Sequence, residues 1–417
     1  MEERLMKTNF KYILLGIILP FCVVANAQHR KIDEVEYRRS SLYSILINHT
    51  EQRLGTNIAD IFIEMPVPDK YNDHDLSVKI ITVDNKLKKD EKGEDFLAAN
   101  YIASHMVARW FDRNPLTGEC DMELVKSRGL YDASQAEINI ANQAIRGNAL
   151  LQDAGEDLIH NTFVLVNDIR YIDKEKQGQQ AGMALNVIFS VLGAVAGAAT
   201  GANFGDLGKN LGQSLQAMME TLKGFKVKVN THLYRLAWDD ETAIQFYETM
   251  YTDVPDATKK EAFENNRGLF KLEYVGSQLS SGSDVSFLGV NLDTPDEMIR
   301  KACTRAIDEN VANLAHNFEF FRVKERLTSV NPIQAPIGMK EDVNEKSKFE
   351  VLLPELKNGK MTYKQVAIIK PKKNMIWDNR YMAFEEGATG ANLKATTFEK
   401  VSGGEILPGM LIRELAK

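Results

Sequence analysis

The chain has 417 residues, 44% of them hydrophobic, with 51 Lys and Arg against 58 Asp and Glu for a formal net charge of −7 at neutral pH. That length predicts two or three domains built on sizeable apolar cores. The acidic balance argues against binding nucleic acid through general phosphate attraction, and three cysteines exclude a disulfide-built scaffold.

Lys7 and Lys11 precede an apolar run from Tyr12 to Val24 that closes on Ala25-Asn26-Ala27, the small-x-small pattern a signal peptidase needs. Residues 1–27 therefore read as a signal peptide and Gln28 as the mature start, with Met6 the better initiator because Glu2 and Glu3 ill suit a basic leader. The apolar run is short for a bilayer span of about 20 residues. Cys22 follows Pro20-Phe21, which does not fit a lipoprotein signal. The expectation is an exported protein, periplasmic or associated with an outer membrane.

The next segment, residues 28–320, reads as one mixed α/β domain. Leu42, Ile45, Leu46 and His49 fall at helical spacing and predict a helix from Lys31 to about Arg53. Leu76 to Val83 alternates as a short strand. Phe96, Ala99, Ile102, Met106 and Trp110 predict one amphipathic helix, and Asp132 is a cap for another through Ile138, Ala141, Ile145 and Ala149. Phe163 to Ile172 is rich in β-branched and aromatic residues and predicts a strand. Lys226 to Trp238 predicts a second, with Val227, Val229, Thr231 and Leu233 on one face and Lys226, Lys228, Asn230 and His232 on the other.

Between those two strands lies the strongest pattern in the chain. Gly193, Gly197, Gly201 and Gly205 recur every fourth residue inside Gln177 to Gly205, a run without a charged side chain. Glycine costs about 1 kcal/mol against alanine inside a helix, so a line of four needs a compensating gain, and close helix–helix contact supplies one. Leu207, Leu211, Leu215, Met218 and Leu222 keep helical spacing afterwards, so residues 177–223 read as a glycine-zipper helical hairpin inserted into the α/β domain. Three arrangements stay open: the second helix covers the zipper within its own domain, the hairpin self-associates with copies in other subunits, or it enters a bilayer, where Asn186, Ser190 and Asn203 dilute its hydrophobicity.

Downstream, Ser277 to Ser286 reads as a serine and glycine surface connector. Thr294-Pro295-Asp296-Glu297 is a capping box with proline in the first turn, starting a helix that runs to about Asn317. In it Ile299, Cys303, Ile307 and Val311 make one apolar stripe, which favours a buried thiol at Cys303 over a disulfide to Cys120. Phe318 to Arg326 is expected as a strand.

Residues 321–417 change texture to short strands and turns. Ile337-Gly338-Met339-Lys340-Glu341-Asp342-Val343, then Lys348-Phe349-Glu350-Val351-Leu352, and the late Leu407-Pro408-Gly409-Met410-Leu411-Ile412 resemble the C-terminal domain of the flagellar assembly protein T family. The resemblance implies a small β-barrel over the last ninety or so residues. Ala98 to Ile172, with Met122-Glu123-Leu124-Val125-Lys126-Ser127-Arg128-Gly129 taken as strand and turn, resembles the α/β domain of the curli-secretion lipoprotein family. Members of that group are envelope assembly factors rather than enzymes, so the resemblance implies a class and carries over no functional residues.

Catalytic signatures are missing from the sequence: no Gly-x-Ser-x-Gly, His-Glu-x-x-His, Cys-x-x-Cys or Gly-x-Gly-x-x-Gly occurs. Asp153, Glu156 and Asp157 share a helical face, which is far more often a solvated acidic face than a calcium or acid–base site. Asp73-His74-Asp75 fits a surface turn better than a metal site, and neither His105 nor His232 has a nucleophile partner in the sequence. The sequence thus predicts an α+β fold, with an inserted zipper hairpin and a C-terminal barrel. It further predicts a non-enzymatic envelope assembly, scaffold or secretion accessory, with Gly193, Gly197, Gly201 and Gly205 as packing residues. Neither catalytic residues nor a cofactor, metal or nucleic-acid partner is expected. The alternative is a secreted or periplasmic hydrolase with an unrecognised carboxylate site.

Overall fold

The structure, a computed structural model, describes residues 40–68, 70–71, 79–82, 92–125, 127, 157–172, 226–283, 294–322, 324–357 and 360–415. The expected signal peptide, the expected Asp73-His74-Asp75 turn, the helix expected from Asp132, and the expected zipper with Gly193, Gly197, Gly201 and Gly205 lie outside the described residues. What is described is an α+β chain with two sheets.

The first sheet has the order β2-β1-β3-β4-β5, where β1 is Ser41–Asn48, β2 Ile80–Thr82, β3 Thr162–Tyr171, β4 Lys226–Ala237 and β5 Lys271–Ser283. β1 runs parallel to β2 and β3, while β3, β4 and β5 are antiparallel neighbours. Helices cover both faces. On one lie α2 (Glu94–Ala99), α3 (Ile102–Trp110), α4 (Asp240–Thr249) and α5 (Ala257–Asn265), over Tyr43, Ile45, Val164, Val166 and Tyr234. On the other lie α1 (Gly55–Glu64) and the long α6 (Pro295–Asn317), over Leu42, Leu46, Phe163, Leu165, Val229 and Leu233. The period of two along β3 sends successive side chains into opposite cores.

The predicted helix over Lys31 to Arg53 is corrected to strand β1. Helical spacing accounts for Leu42, Ile45 and Leu46 but leaves Tyr43 and Ile47 unexplained, and both are buried. A central strand covered on two faces is apolar on both, so its continuous run imitates a helical stripe. The single helix predicted through Phe96 and Trp110 is broken at Tyr101, which sits in the left-handed region at φ 51° between α2 and α3. Residues 122–125 are helical rather than a strand, and Asp121 accepts a hydrogen bond from the Leu124 N–H at 3.1 Å.

The serine and glycine connector is corrected as well, because Lys271–Ser283 is β5, paired along its length with β4. Its small residues serve α6. Ser280 Oγ donates to Ala306 O at 2.7 Å, and a Cβ on Gly282 would lie 1.9 Å from Ala302 O. The helix rests directly on the strand backbone there, which only small side chains permit.

α6 begins as its sequence predicts. The Glu297 N–H donates to Thr294 Oγ1, and Glu297 Oε2 reaches back to the Thr294 N–H at 2.7 Å. Thr294→Ala is expected to lower stability by about 1 kcal/mol, read as a drop in thermal midpoint, whereas an unchanged midpoint would show that Pro295 and the dipole suffice. Cys303 lies in the α6 core and Cys120 in the core across the sheet; both thiols are free, and burial pushes Cys303 up to about 12. Beyond α6 the expected strand is instead a 3₁₀ turn, Glu319–Phe321, followed by the short β6, Glu325–Arg326. The turn brings both Phe320 and Phe321 onto Phe163, which a strand would place on opposite faces.

The second sheet has the order β6-β12-β9-β10-β11-β8-β7, where β7 is Ser329–Val330, β8 Ile333–Ala335, β9 Phe349–Lys357, β10 Lys360–Pro371, β11 Thr396–Gly403 and β12 Leu411–Glu414. It is antiparallel throughout and curls as a half-barrel around Leu327, Phe349, Val351, Ile369, Phe398 and Ile412, with β6 and β7 at its ends. Among the described residues no helix is long and apolar enough to cross a membrane.

Candidate functional site

The two sheets meet across α6, whose faces divide by helical periodicity. Ile299, Cys303 and Ala306 pack on the first sheet, Thr304, Asp308 and Ala312 face a cleft on the side of the second, and Ile307, Val311 and Ala315 border both. The extended Met65-Pro66-Val67-Pro68 run after α1 forms one wall, held away from helix by its prolines. The opposite wall is the loop Ile337 to Val343, where a 3₁₀ turn at Met339–Glu341 ends on Asp342 at φ 57°. The outer cleft measures about 590 Å³ and reaches Phe62, Arg300, Asn379 and Tyr381. A smaller chamber of about 80 Å³ adjoins it, sharing Pro68, Asp308 and Lys340 as lining residues.

Polar contacts join the walls. Lys70 pairs with Glu325 at 2.9 Å and donates to Pro336 O at 2.5 Å. Arg305 donates to Tyr381 O at 2.7 Å and pairs with Glu386, which Lys301 also meets. Arg322 donates to the carbonyls of Ala315, His316 and Glu414, and burial followed by the nearby Arg413 pushes it below the usual range. Arg413 binds Glu350 at 2.5 Å with both groups buried, and reaches Glu319 at 2.8 Å.

Two carboxylates line the inner chamber with one oxygen each unused. Glu414 is buried, and its Oε2 lies 2.6 Å from His316 Nε2. Glu341 Oε2 accepts from the Gly338 N–H at 2.7 Å and from Asn379 Nδ2 at 2.9 Å. Glu414 Oε1 and Glu341 Oε1 are buried without a hydrogen-bond partner. Burial raises the Glu341 carboxyl above its usual value, outweighing Asn379, Gly338, Lys70 and Lys340. Tyr71 donates to Phe321 O at 3.3 Å, and burial, then Glu341, pushes its hydroxyl far above the ordinary tyrosine range.

A carboxyl whose pKa rises on folding contributes stability below its unfolded value, near 4.5, and loses it as pH rises through the folded value. Glu341→Gln is therefore expected to leave the thermal midpoint at pH 7 unchanged or higher, since glutamine keeps the acceptor for Gly338. A clear fall in that midpoint would contradict the sign.

The residues singled out in the sequence are not brought together here. Asp153 and Glu156 lie outside the described residues, and Asp157 sits in the helical residues 157–160 just before β3, its carbonyl accepting from Asn161 N–H. His105 is on α3, pushed below its usual pKa by burial and then by Arg267. His232, expected on a polar strand face, is buried beside Ser277 Oγ at 2.6 Å, next to the register shift at Leu233 and Tyr234. Sequence reasoning missed Glu341, Glu414 and His316, which no spacing connects. Among the described residues no group of His, Cys, Asp and Glu is arranged to hold a metal.

The fold and the cleft define an α+β protein whose helix-covered sheet is joined by a polar seam to a curled antiparallel sheet. Compared with known protein families and with curated proteins, the chain finds no match.

Proposed function

We propose that this chain is a non-enzymatic cell-envelope assembly, scaffold or secretion accessory that acts through residues 177–223. In this reading those residues are a glycine-zipper hairpin, residues 321–417 work as a small β-barrel, and the exported mature chain associates with copies of itself or touches a membrane. The observation that carries it is the frame of the insert. β3 and β4 are adjacent antiparallel strands, Tyr171 is in register with Val227, and the Ile172 N–H donates to Lys226 O at 2.8 Å. Residues 173–225 thus leave and rejoin the sheet at neighbouring points.

That frame is braced from the β1 side. Gln52 Nε2 donates to Ile169 O at 3.0 Å and its Oε1 accepts from the Tyr171 N–H, while His49 Nε2 lies 2.6 Å from Asp168 Oδ1. Asp168 is in turn bound by Arg170 at 2.9 Å. An element mounted on so fixed a base suits a mechanical role, and the resemblances to envelope assembly factors agree with one. Gly193, Gly197, Gly201 and Gly205 supply the close helix approach.

Gly197→Leu is expected to lower the oligomer mass by size exclusion while leaving the folded sheets intact, because a side chain on the zipper line holds helix backbones apart. An unchanged mass would reduce the zipper to internal packing. Deleting Gln180 to Lys223 is the matching test for membrane contact: the protein should move from membrane to soluble fractions, and an unaltered distribution would remove that arm.

A further inference from the structure

We infer that one end of the curled second sheet docks on an anionic phospholipid surface through Lys346, Lys348, Lys370, Lys372 and Lys373. The inference stands apart from the association reading and uses none of the insert. Residues 321–417 carry 17 Lys and Arg against 12 Asp and Glu, in a chain whose total charge is −7. The basic excess is confined to this unit, and the topology of its sheet gathers part of it in one place.

β9 and β10 are antiparallel, so the start of one lies beside the end of the other. Phe349 pairs with Ile369, and the next step of the same register sets Lys348 beside Lys370. Lys370 in turn pairs with Glu399 of β11. Strands about 4.8 Å apart put these three side chains in one row, on the face opposite Phe349, Ile369 and Phe398, which belong to the half-barrel core. The turns beyond the strands add the rest. Lys372-Lys373-Asn374 turns back at Asn374, φ 59°, and the Lys372 N–H donates to Thr397 O at 2.8 Å. On the β9 side the Lys346 N–H donates to Asn344 Oδ1 at 3.0 Å, and the Lys348 carbonyl accepts from the Leu415 N–H at 2.8 Å. The lysines thus stand on a fixed backbone.

Their charges are left largely unanswered within the chain. Lys346, Lys348, Lys372 and Lys373 are exposed and meet no carboxylate among the described residues, whereas Lys370 lies 2.9 Å from Glu399. Glu350 is bound by Arg413 and Glu414 by His316, which leaves the exposed Glu345 beside the lysines. Like charges directly opposite on neighbouring strands destabilise a sheet. A row that keeps Lys348 against Lys370 therefore calls for an external anion.

The residue type selects that anion. The planar fork of arginine suits a fixed phosphate or a base edge, whereas lysine is a mobile point charge on a flexible stem. A face built of lysines fits a fluid, diffuse anionic surface. The acidic remainder of the chain does not prevent docking, because charges more than about 8 Å away are screened at physiological ionic strength. Each lysine near such a surface strengthens binding by about fivefold.

The test is sedimentation of the full chain with vesicles of phosphatidylcholine alone and of phosphatidylcholine mixed with phosphatidylglycerol. The mixed vesicles should raise the partition constant by about tenfold or more at about 0.1 M salt, and about 0.5 M salt should remove the gain. The insert has no charged residue between Gln177 and Gly205, so any contact it makes persists on phosphatidylcholine and in salt. Lys348→Gln with Lys372→Gln should weaken partition by about 25-fold, two lysines at about fivefold each. The control, Lys357→Gln with Lys364→Gln, takes the same charge from the far end of the β9–β10 hairpin, about 20 Å along the strands, and should leave partition unchanged. Equal partition on both vesicles, an equal loss in the control pair, or tighter binding of duplex DNA than of the mixed vesicles would each overturn the assignment.

Discussion

Arg413→Met is expected to destabilise the protein by about 3–5 kcal/mol, the largest effect of any single side chain at the seam between the sheets. Arg413 leaves β12 into a buried contact with Glu350 of β9, which is 1% exposed, and reaches over to Glu319 in the turn after α6. Methionine keeps much of the volume but removes the charge, so the Glu350 carboxylate is left desolvated and alone. The penalty comes from that orphaned anion rather than from the net worth of the pair, and the double variant Arg413→Met with Glu350→Leu should recover much of the loss. Urea unfolding of the three proteins reads both numbers. A single-variant cost below about 1 kcal/mol, the range of an exposed pair, would show that water reaches Glu350.

Gly282→Val comes second, at about 3 kcal/mol. A Cβ there would lie 1.9 Å from the carbonyl oxygen of Ala302 and 2.7 Å from its carbon, and both are backbone atoms of α6. No rotamer relieves such a contact, so β5 or the whole helix must move, and the core holding Cys303, Ala306 and Ile299 opens with it. Gly268→Val serves as the control, because nothing lies within 4 Å of a Cβ there. Equal midpoints for the two variants would mean that α6 does not rest on β5 as described.

The same glycine shows where sequence patterns stop being readable. Strand β3 was legible from its β-branched and aromatic run, β4 because it alternates cleanly, and α6 because its capping box and proline are local signals. β5 was not: its Ser277 to Ser283 stretch has connector composition, and small residues there answer a tertiary demand, the close approach of a helix. β1 misled for the opposite reason, since two-sided burial erases the period that marks a strand. Glu341 and Glu414 belong to distant parts of the chain, and only the docking of the second sheet on α6 puts both beside one cavity. The zipper glycines, the clearest pattern of all, concern association between elements and leave the partner unnamed.

The most direct test of the association account is the mass of the chain from Gln28, its proposed mature start, to Lys417, by light scattering with and without mild detergent. The account predicts a defined oligomer in plain buffer that Gly197→Leu reduces, with detergent needed for solubility if the bilayer arm holds. A well-behaved monomer in both conditions would contradict it and place the insert against its own chain.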